Sequence, residues 1–350
     1  MPFEPPRCPN VLCEKHQKPT PGFWRRRGFY RASCRPEPVQ RFLCASCKRS
    51  FSRQTFRHDY RDHRPEVNDN FWLMLASGVG LRQLGRVLRL NIRSVVEKKR
   101  KMARTCALLH DNLNPSLPVA RTFVLDEEET FEGASIRPLT MPVLIEKDTW
   151  FVVATAVGSI RRLAIAGSAR RRRQARDERR NGRRPDQSKE CVQKVLTELA
   201  RKVPTGNIVL RTDQKASYGT IASEVFGERV RHETTAGTRI RATHNPLFPI
   251  NTTMAMTRDN MSRLRRRSWL VTKKAERLQD HLAIFTVYRN YVRRRFNRDK
   301  EAETPAQFLR LLPRNLRPYE VLAWRQDWGE RSIHPMSFSG SQTVRQILVA

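Results

Sequence analysis

The chain has 350 residues, enough for two or three compact units, and a 39% hydrophobic content supports at least one packed core. Its 68 Lys and Arg against 34 Asp and Glu leave a formal charge of +34 and a pI near 11.2, spread along the chain, so a densely anionic partner, nucleic acid, is expected. The sequence has no recognisable signal peptide, no apolar run near the roughly 18 residues that span a bilayer and no basic amphipathic anchor, which argues against a membrane role and predicts a cytoplasmic protein.

Residues 1–58 are rich in Cys, Pro, Arg and aromatics and too polar to close around a large core, so a bound metal is expected to supply the missing stability. Cys8-x4-Cys13 and Cys44-x2-Cys47 are two pairs roughly thirty residues apart, and each can turn both sulfurs toward one ion. Four thiolates make a closed tetrahedral site for structural Zn²⁺, with no open position for catalysis. A strand entering the second pair through Arg41-Phe42-Leu43 completes the pattern of a small zinc ribbon. Seven cysteines, an odd number, favour metal ligation in a reducing compartment over a disulfide framework. Cys34 is an alternative to Cys13 and His16 a weaker substitute, while Cys106 and Cys191 fall on helical stretches as ordinary core residues.

Residues 66–110 read as helices, with Phe71, Trp72, Leu75, Leu81, Leu84 and Leu88 among apolar residues at roughly helical spacing and a break at Ser77-Gly78-Val79-Gly80. A helix over Leu81–Leu88, a short break at Arg89-Leu90-Asn91 and a basic helix from about Arg93 predict a helix-turn-helix. It would offer Arg93, Ser94, Lys98, Lys99 and Arg100 to the major groove or the phosphates beside it; a helical hairpin that only packs on its neighbour is the alternative. Asn112–Pro118, with two prolines, is a linker.

From Arg121 the pattern changes to β runs, Thr122–Leu125, Met141–Ile145 and Trp150–Val157, with Glu146–Thr149 as the turn between the last two. A helix over Lys189–Val203, a strand over Asn207–Leu210, a helix over Tyr218–Phe226 and a strand near Arg229–His232 follow. Strands first, then alternating helix and strand, is the order of an α/β RNase H-like fold, a mixed sheet flanked by helices, over residues 120–296. The basic stretch within 161–188, with Arg170, Arg171, Arg172 and Arg173 in a row, is expected as a loop, either solvated and mobile or ordered by phosphates. One long helical stretch is expected from Asn251 to about Arg295, and residues 297–350 form a helical tail with pieces around Pro305–Leu312 and Tyr319–Gln326. Trp150, Trp269, Tyr288 and Tyr291 are expected to serve the core, with base stacking as the alternative.

Asp126 follows the first β run and Asp213 follows Ile208–Arg211. Carboxylates at strand ends of one mixed sheet can converge on hard, oxygen-loving Mg²⁺, and two such ions (or Mn²⁺) would activate the attacking oxygen and stabilise the leaving one in phosphodiester transfer. Asn251 and Arg258 lie two turns apart on one helix face, so Asn251 can offer a neutral ligand oxygen and Arg258 a cation for DNA phosphate. Asn251 as a helix N-cap after Pro249-Ile250 is the alternative.

The order of a four-cysteine ribbon, a helix-turn-helix, Leu125-Asp126-Glu127-Glu128, Thr212-Asp213-Gln214-Lys215-Ala216-Ser217-Tyr218 and Asn251 with Arg258 resembles bacterial insertion-sequence transposases of the DDE superfamily, over residues 8–295. Residues 263–290 are similar to the basic helical region that follows the third acidic position there, which adds Arg265, Arg266 and Arg267 as DNA contacts. The resemblance implies Mg²⁺-dependent cleavage and transfer of DNA strands, with Asp126 and Asp213 as the first two metal-binding acids. It also implies double-stranded DNA partners, transposon terminal inverted repeats and target DNA, and a homo-oligomer assembled on two ends. Asn251 stands where most of the superfamily has Glu: either the Asn variant is competent or the third acid is lost, with Asp259, Glu233 and Glu224 as other candidates. A catalytically inactive or domesticated DNA-binding protein and an RNA-processing nuclease of the same fold are the rival expectations.

Overall fold

A computed structural model describes residues 3–57, 59–114, 116–117, 122–240, 242–265, 270–297 and 300–323. The N-terminal segment contains one helical turn, α1 (Glu14–Gln17), and a three-stranded antiparallel sheet, β1 (Trp24–Tyr30), β2 (Val39–Cys44) and β3 (Ser50–Ser52), in that order. Its core is small: Phe23, Phe42, Phe51 and Phe56 close around Cys8, Cys13 and Cys44.

Three helices follow, α2 (Asn68–Ala76), α3 (Leu81–Val87) and α4 (Ile92–Leu113). After α2 the chain turns at Gly78, where φ is 82° and a Cβ would stand 2.6 Å from the Asp259 carbonyl; only glycine fits both constraints. Asn91 caps α4 by accepting the Arg93 N–H at 2.9 Å.

The larger sheet runs β6-β5-β4-β8-β9, built from β4 (Thr122–Phe131), β5 (Pro138–Glu146), β6 (Val152–Thr155), β8 (Ile208–Thr212) and β9 (Val230–Thr234); β7 (Gly158–Ser159) also pairs with β5. β4, β5 and β6 are antiparallel neighbours, whereas β8 and β9 run parallel to β4, so the sheet is mixed. Its helices are α5 (Ala169–Asn181), α6 (Ser188–Lys202), α7 (Ser217–Phe226), α8 (Phe248–Asn260) and α9 (Ala275–Val287), followed by the short α10 (Pro305–Phe308) and α11 (Pro318–Ala323). Strand alternation sends Phe123, Leu125, Ile208 and Leu210 toward α6 and α7, and Val124, Met141 and Val143 toward α8 and α9. Covered on both faces, β5 is buried at every position. At the edge, buried Asn290 completes β6 by accepting the Val152 N–H at 2.9 Å and donating to the Val152 carbonyl at 2.8 Å. Among the described residues no helix is long and apolar enough to cross a membrane.

Four expectations change. β4 does not stop at Leu125 but continues to Phe131, because Asp126 through Phe131 keep pairing with β5, from Asp126 opposite Val143 to Phe131 opposite Pro138. The arginine-rich stretch is not a loop over its whole length. Ser168 caps α5 through the Arg171 N–H at 3.1 Å, Gly182 ends it at φ 78°, and arginine is a good helix former. The stretch beyond Asn251 is interrupted: a 3-10 turn at Ser262–Leu264 folds Met261 and Leu264 into the core between α8 and α9. Residues 66–110 do not stand apart either, since Phe71, Trp72, Leu84 and Leu109 share one core with Leu125, Leu144 and Leu210, and α4 packs along α9.

Candidate functional site

The four paired cysteines converge. Their sulfurs all lie within 4.8 Å of one another, with Cys8 and Cys47 at 3.6 Å and Cys13 and Cys44 at 3.8 Å. Sulfurs at the corners of a tetrahedron, each about 2.3 Å from zinc, stand about 3.8 Å apart, so the donor set fits a structural metal such as zinc. Cys44 ends β2, and Cys13 immediately precedes α1. Burial pushes the Cys8 and Cys44 thiols up, which favours the neutral form until a cation is bound. The substitutes are engaged elsewhere: His16 Nδ1 bonds the Cys8 carbonyl at 2.7 Å, and Cys34 Sγ lies 3.4 Å from the Asp62 carbonyl. Cys106 accepts the Trp72 indole N–H at 3.4 Å, and Cys191 is buried in the main core.

The acidic residues assemble at the end of the parallel ladder. Phe123 pairs with Leu210 and Val124 with Arg211, where the pairing stops. Two residues further along each chain segment come Asp126, still on β4, and Asp213, the first residue after β8. Asp126 alternates onto the face of Val124, toward α8, and Glu127 onto the face of Leu125, toward α6 and α7. The two aspartates feel each other: burial, and then the Asp213 charge, push the Asp126 carboxyl up to about 6, against the bond it accepts from the Glu127 N–H at 2.7 Å. Asp213 Oδ1 accepts the Lys215 N–H at 3.0 Å. Among the described residues neither carboxylate has a cationic partner. The next three acids all do: Glu127 pairs with Lys215 at 2.8 Å, Glu128 with Arg258 and Glu129 with Arg162.

Sequence reasoning misses the part played by Lys215. Its Nζ also donates to Ser188 Oγ at 2.7 Å, which ties the turn after Asp213 to β4 and to the start of α6. Its place two residues beyond Asp213 was the available signal. Burial, followed by the charges of Glu127, Asp126 and Asp213, drives the Tyr218 hydroxyl well above its ordinary range.

Asn251 is not the cap of α8. It lies inside the first turn, its N–H bonded to the Leu247 carbonyl at 3.0 Å, while the Asn245 side chain takes the Leu247 N–H at 2.8 Å. Ile250 and Met254 pack in the cluster that holds Val124, and Arg258 reaches Glu128, so α8 runs along β4 with Asn251 near its start. Among the described residues the Asn251 side chain has no hydrogen-bond partner. Arg258, expected to hold phosphate, is ion-paired with Glu128. Of the other acids, Glu233 is held by Arg211 at 2.9 Å and Arg231 at 2.6 Å, whereas Glu224 and Asp259 are exposed. Among the described residues, three or more Cys, His, Asp or Glu ligand atoms come together only at the four cysteines.

The expected DNA-reading residues of α4 divide. Arg93, Ser94 and Arg100 are exposed, but Lys98 and Lys99 are 5% and 1% exposed. Lys98 pairs with Asp62 and donates to Asn68 at 2.7 Å and to the Arg64 carbonyl at 2.8 Å. Lys99 donates to the Arg277 carbonyl at 2.6 Å, and burial, helped by the Arg263 charge, pushes its ammonium down to about 6. These two lysines are therefore internal links and not surface contacts. Val95, Lys99, Met102, Cys106 and Leu109 recur at helical spacing, which places Lys99 in the buried stripe. In their stead Arg82, Arg86 and Arg89 are exposed beside Arg93, with Val87 and Ile92 exposed among them. Arg265 is exposed and bonds the Asp259 carbonyl at 3.2 Å, while Arg266, Arg267 and Trp269 lie outside the described residues. Trp150 and Tyr291 are buried, and Tyr288 packs edge-on against Trp72.

No model of a known protein family matches the chain, and no curated protein matches it, so its own residues and their geometry carry the functional reading.

Proposed function

We propose that this chain is a DNA transposase of the insertion-sequence type. In this reading the four-cysteine unit is a zinc ribbon, α3 and α4 are a helix-turn-helix, and the mixed sheet with its helices is an RNase H-like catalytic domain. The strand order β6-β5-β4-β8-β9, with β4 antiparallel to β5 and parallel to β8, supports the last of these. One observation carries the enzyme reading. In a chain of net charge +34, Asp126 on β4 and Asp213, just past the end of the parallel strand β8, lie near enough for the Asp213 charge to act on Asp126, and among the described residues they lack the basic partner that each of Glu127, Glu128 and Glu129 has. Like charges brought together in a partly buried place call for a cation.

Asp126 and Asp213 supply the anionic oxygens of the site, and Asn251 supplies a neutral one. Mg²⁺ or Mn²⁺, when bound there, would polarise the attacking oxygen and stabilise the leaving oxygen of a phosphodiester. Arg258 exchanges Glu128 for a DNA phosphate. Arg82, Arg86, Arg89, Arg93 and Arg100 provide a basic surface for the duplex, and two copies of the chain are expected to bring two transposon ends together. In the test, the protein should nick supercoiled plasmid when given Mg²⁺ or Mn²⁺, and the Asp213→Asn protein should not. Equal nicking by both proteins, or none by either, would remove the enzyme reading.

A DNA-binding protein without catalysis is the second reading. It is favoured by the ion pair that occupies Arg258 and by the lack, among the described residues, of a third carboxylate whose ligand atom comes together with those of the two aspartates.

A further inference from the structure

Helix α5 has two chemically opposite sides. Toward the protein, Asp177 pairs with Arg137 and Glu178 with Arg161 at 3.4 Å, while buried Gln174 accepts the Ala164 N–H at 3.1 Å and donates to the Arg162 carbonyl at 2.9 Å. Arg184 pairs with Glu132 at 2.7 Å and Arg162 with Glu129, so the segment carrying α5 is fastened to the far end of the β4–β5 hairpin. On the other side Arg172, Arg173, Arg176, Arg179 and Arg180 are all exposed. At 100° per residue these five fall within about 120° of arc. Among the described residues none of them has an acidic partner. Like charges at i+3 and i+4 oppose helix formation, so this stripe weakens its own helix until an anion neutralises it.

We propose that the α5 arginine stripe is a binding surface for the phosphate backbone of duplex DNA, distinct from the surface on α3 and α4. This rests on the nucleic-acid part of the proposed function and not on catalysis. Planar guanidinium groups suit phosphate oxygens, and phosphate contacts need no particular base sequence. The placement also fits. Glu132, an anchor of this segment, lies six residues beyond Asp126, or about 20 Å along an extended strand. A duplex rising about 3.4 Å per base pair covers that span in about six base pairs, so a short duplex lying along β4 would reach the segment that carries α5.

Arginine-specific modification by phenylglyoxal, read by peptide mass spectrometry on the full chain with and without duplex DNA of arbitrary sequence, tests this directly. DNA should shield Arg172, Arg173, Arg176, Arg179 and Arg180. The variant R172Q/R173Q/R176Q/R179Q/R180Q, which keeps the cap and the inward-facing side of α5, should lower the slope of log Kd against log salt by about 4 to 5, at about 0.9 for each phosphate no longer neutralised. Five arginines that stay reactive in a saturated complex, while Arg86 and Arg93 are shielded, would overturn the proposal and leave the nucleic-acid reading standing. Shielding by single-stranded RNA but not by duplex DNA would overturn it as well, and a wild-type chain that binds no duplex removes both.

Discussion

Two neighbouring lysines of α4 should answer the same substitution in opposite directions. Lys98→Met removes the ammonium that pairs with Asp62, a carboxylate 8% exposed, along with the bonds to Asn68 and the Arg64 carbonyl. A buried carboxylate left without its counter-ion costs about 3–5 kcal/mol. Lys99→Met removes a group with no paired carboxylate among the described residues, whose ammonium burial and the Arg263 charge push down to about 6 from 10.5 despite the attraction of Asp280. At about 1.4 kcal/mol per pKa unit, keeping that lysine at neutral pH opposes folding by up to about 5 kcal/mol. Losing the bond to the Arg277 carbonyl returns about 1–3 kcal/mol of that, which leaves the Met variant more stable by up to about 2–4 kcal/mol. The sign with pH follows from proton counting. Between 6 and 10.5 the unfolded chain binds the proton that folded Lys99 has released, so wild-type stability rises with pH and the advantage of Lys99→Met shrinks across that window. Urea denaturation at neutral pH and again near pH 10 measures both effects, and duplex affinity of Lys99→Met should match wild type while that of Arg93→Gln falls. If Lys99→Met destabilised as much as Lys98→Met, or weakened DNA binding as Arg93→Gln does, Lys99 would not be the internal link described above.

Other outcomes follow from local geometry. Metal analysis of the full chain should find one zinc, lost in Cys44→Ser; because Cys8, Cys13 and Cys44 share a small core with Phe23, Phe42 and Phe56, the loss should unfold β1–β3 and leave the larger sheet folded. A zinc-free wild type with a fully folded N-terminal sheet would contradict this. Asn290→Ala strips both the Val152 N–H and carbonyl of their side-chain partners in a buried place and should cost about 2–4 kcal/mol in urea denaturation. A cost below about 1 kcal/mol would mean that water replaces the amide at the edge of β6.

Local patterns proved readable where neighbours in sequence are neighbours in space. The cysteine pairs are short-range turns, and their spacing alone put four sulfurs on one candidate ion. Periodicity likewise located α2, α3, α4, α6 and α7 and the strands around Asp213, because a buried face repeats every 3.6 residues in a helix and every two in a strand. It failed at α5, whose inner face is made of Asp177, Glu178 and Gln174 in place of apolar residues, so no hydrophobic repeat marked it. It also failed to separate Lys98 and Lys99 from Arg93, since a charged residue in a buried stripe looks like one on the surface until its partner, Asp62 or the Arg277 carbonyl, is known.

By itself, then, the sequence determined the strongly positive net charge, the four sulfur donors and the mix of helices and strands, all properties of composition or of a few consecutive residues. Tertiary structure alone decided that β4 and β8 run side by side, so that Asp126 and Asp213 share an electrostatic environment without a basic partner among the described residues, while Lys215 anchors the turn after Asp213. Residues 126 and 213 are joined by a long stretch of chain, and strand register between them is set by packing on α6, α7 and α8, long-range interactions of which a local window of sequence carries no trace.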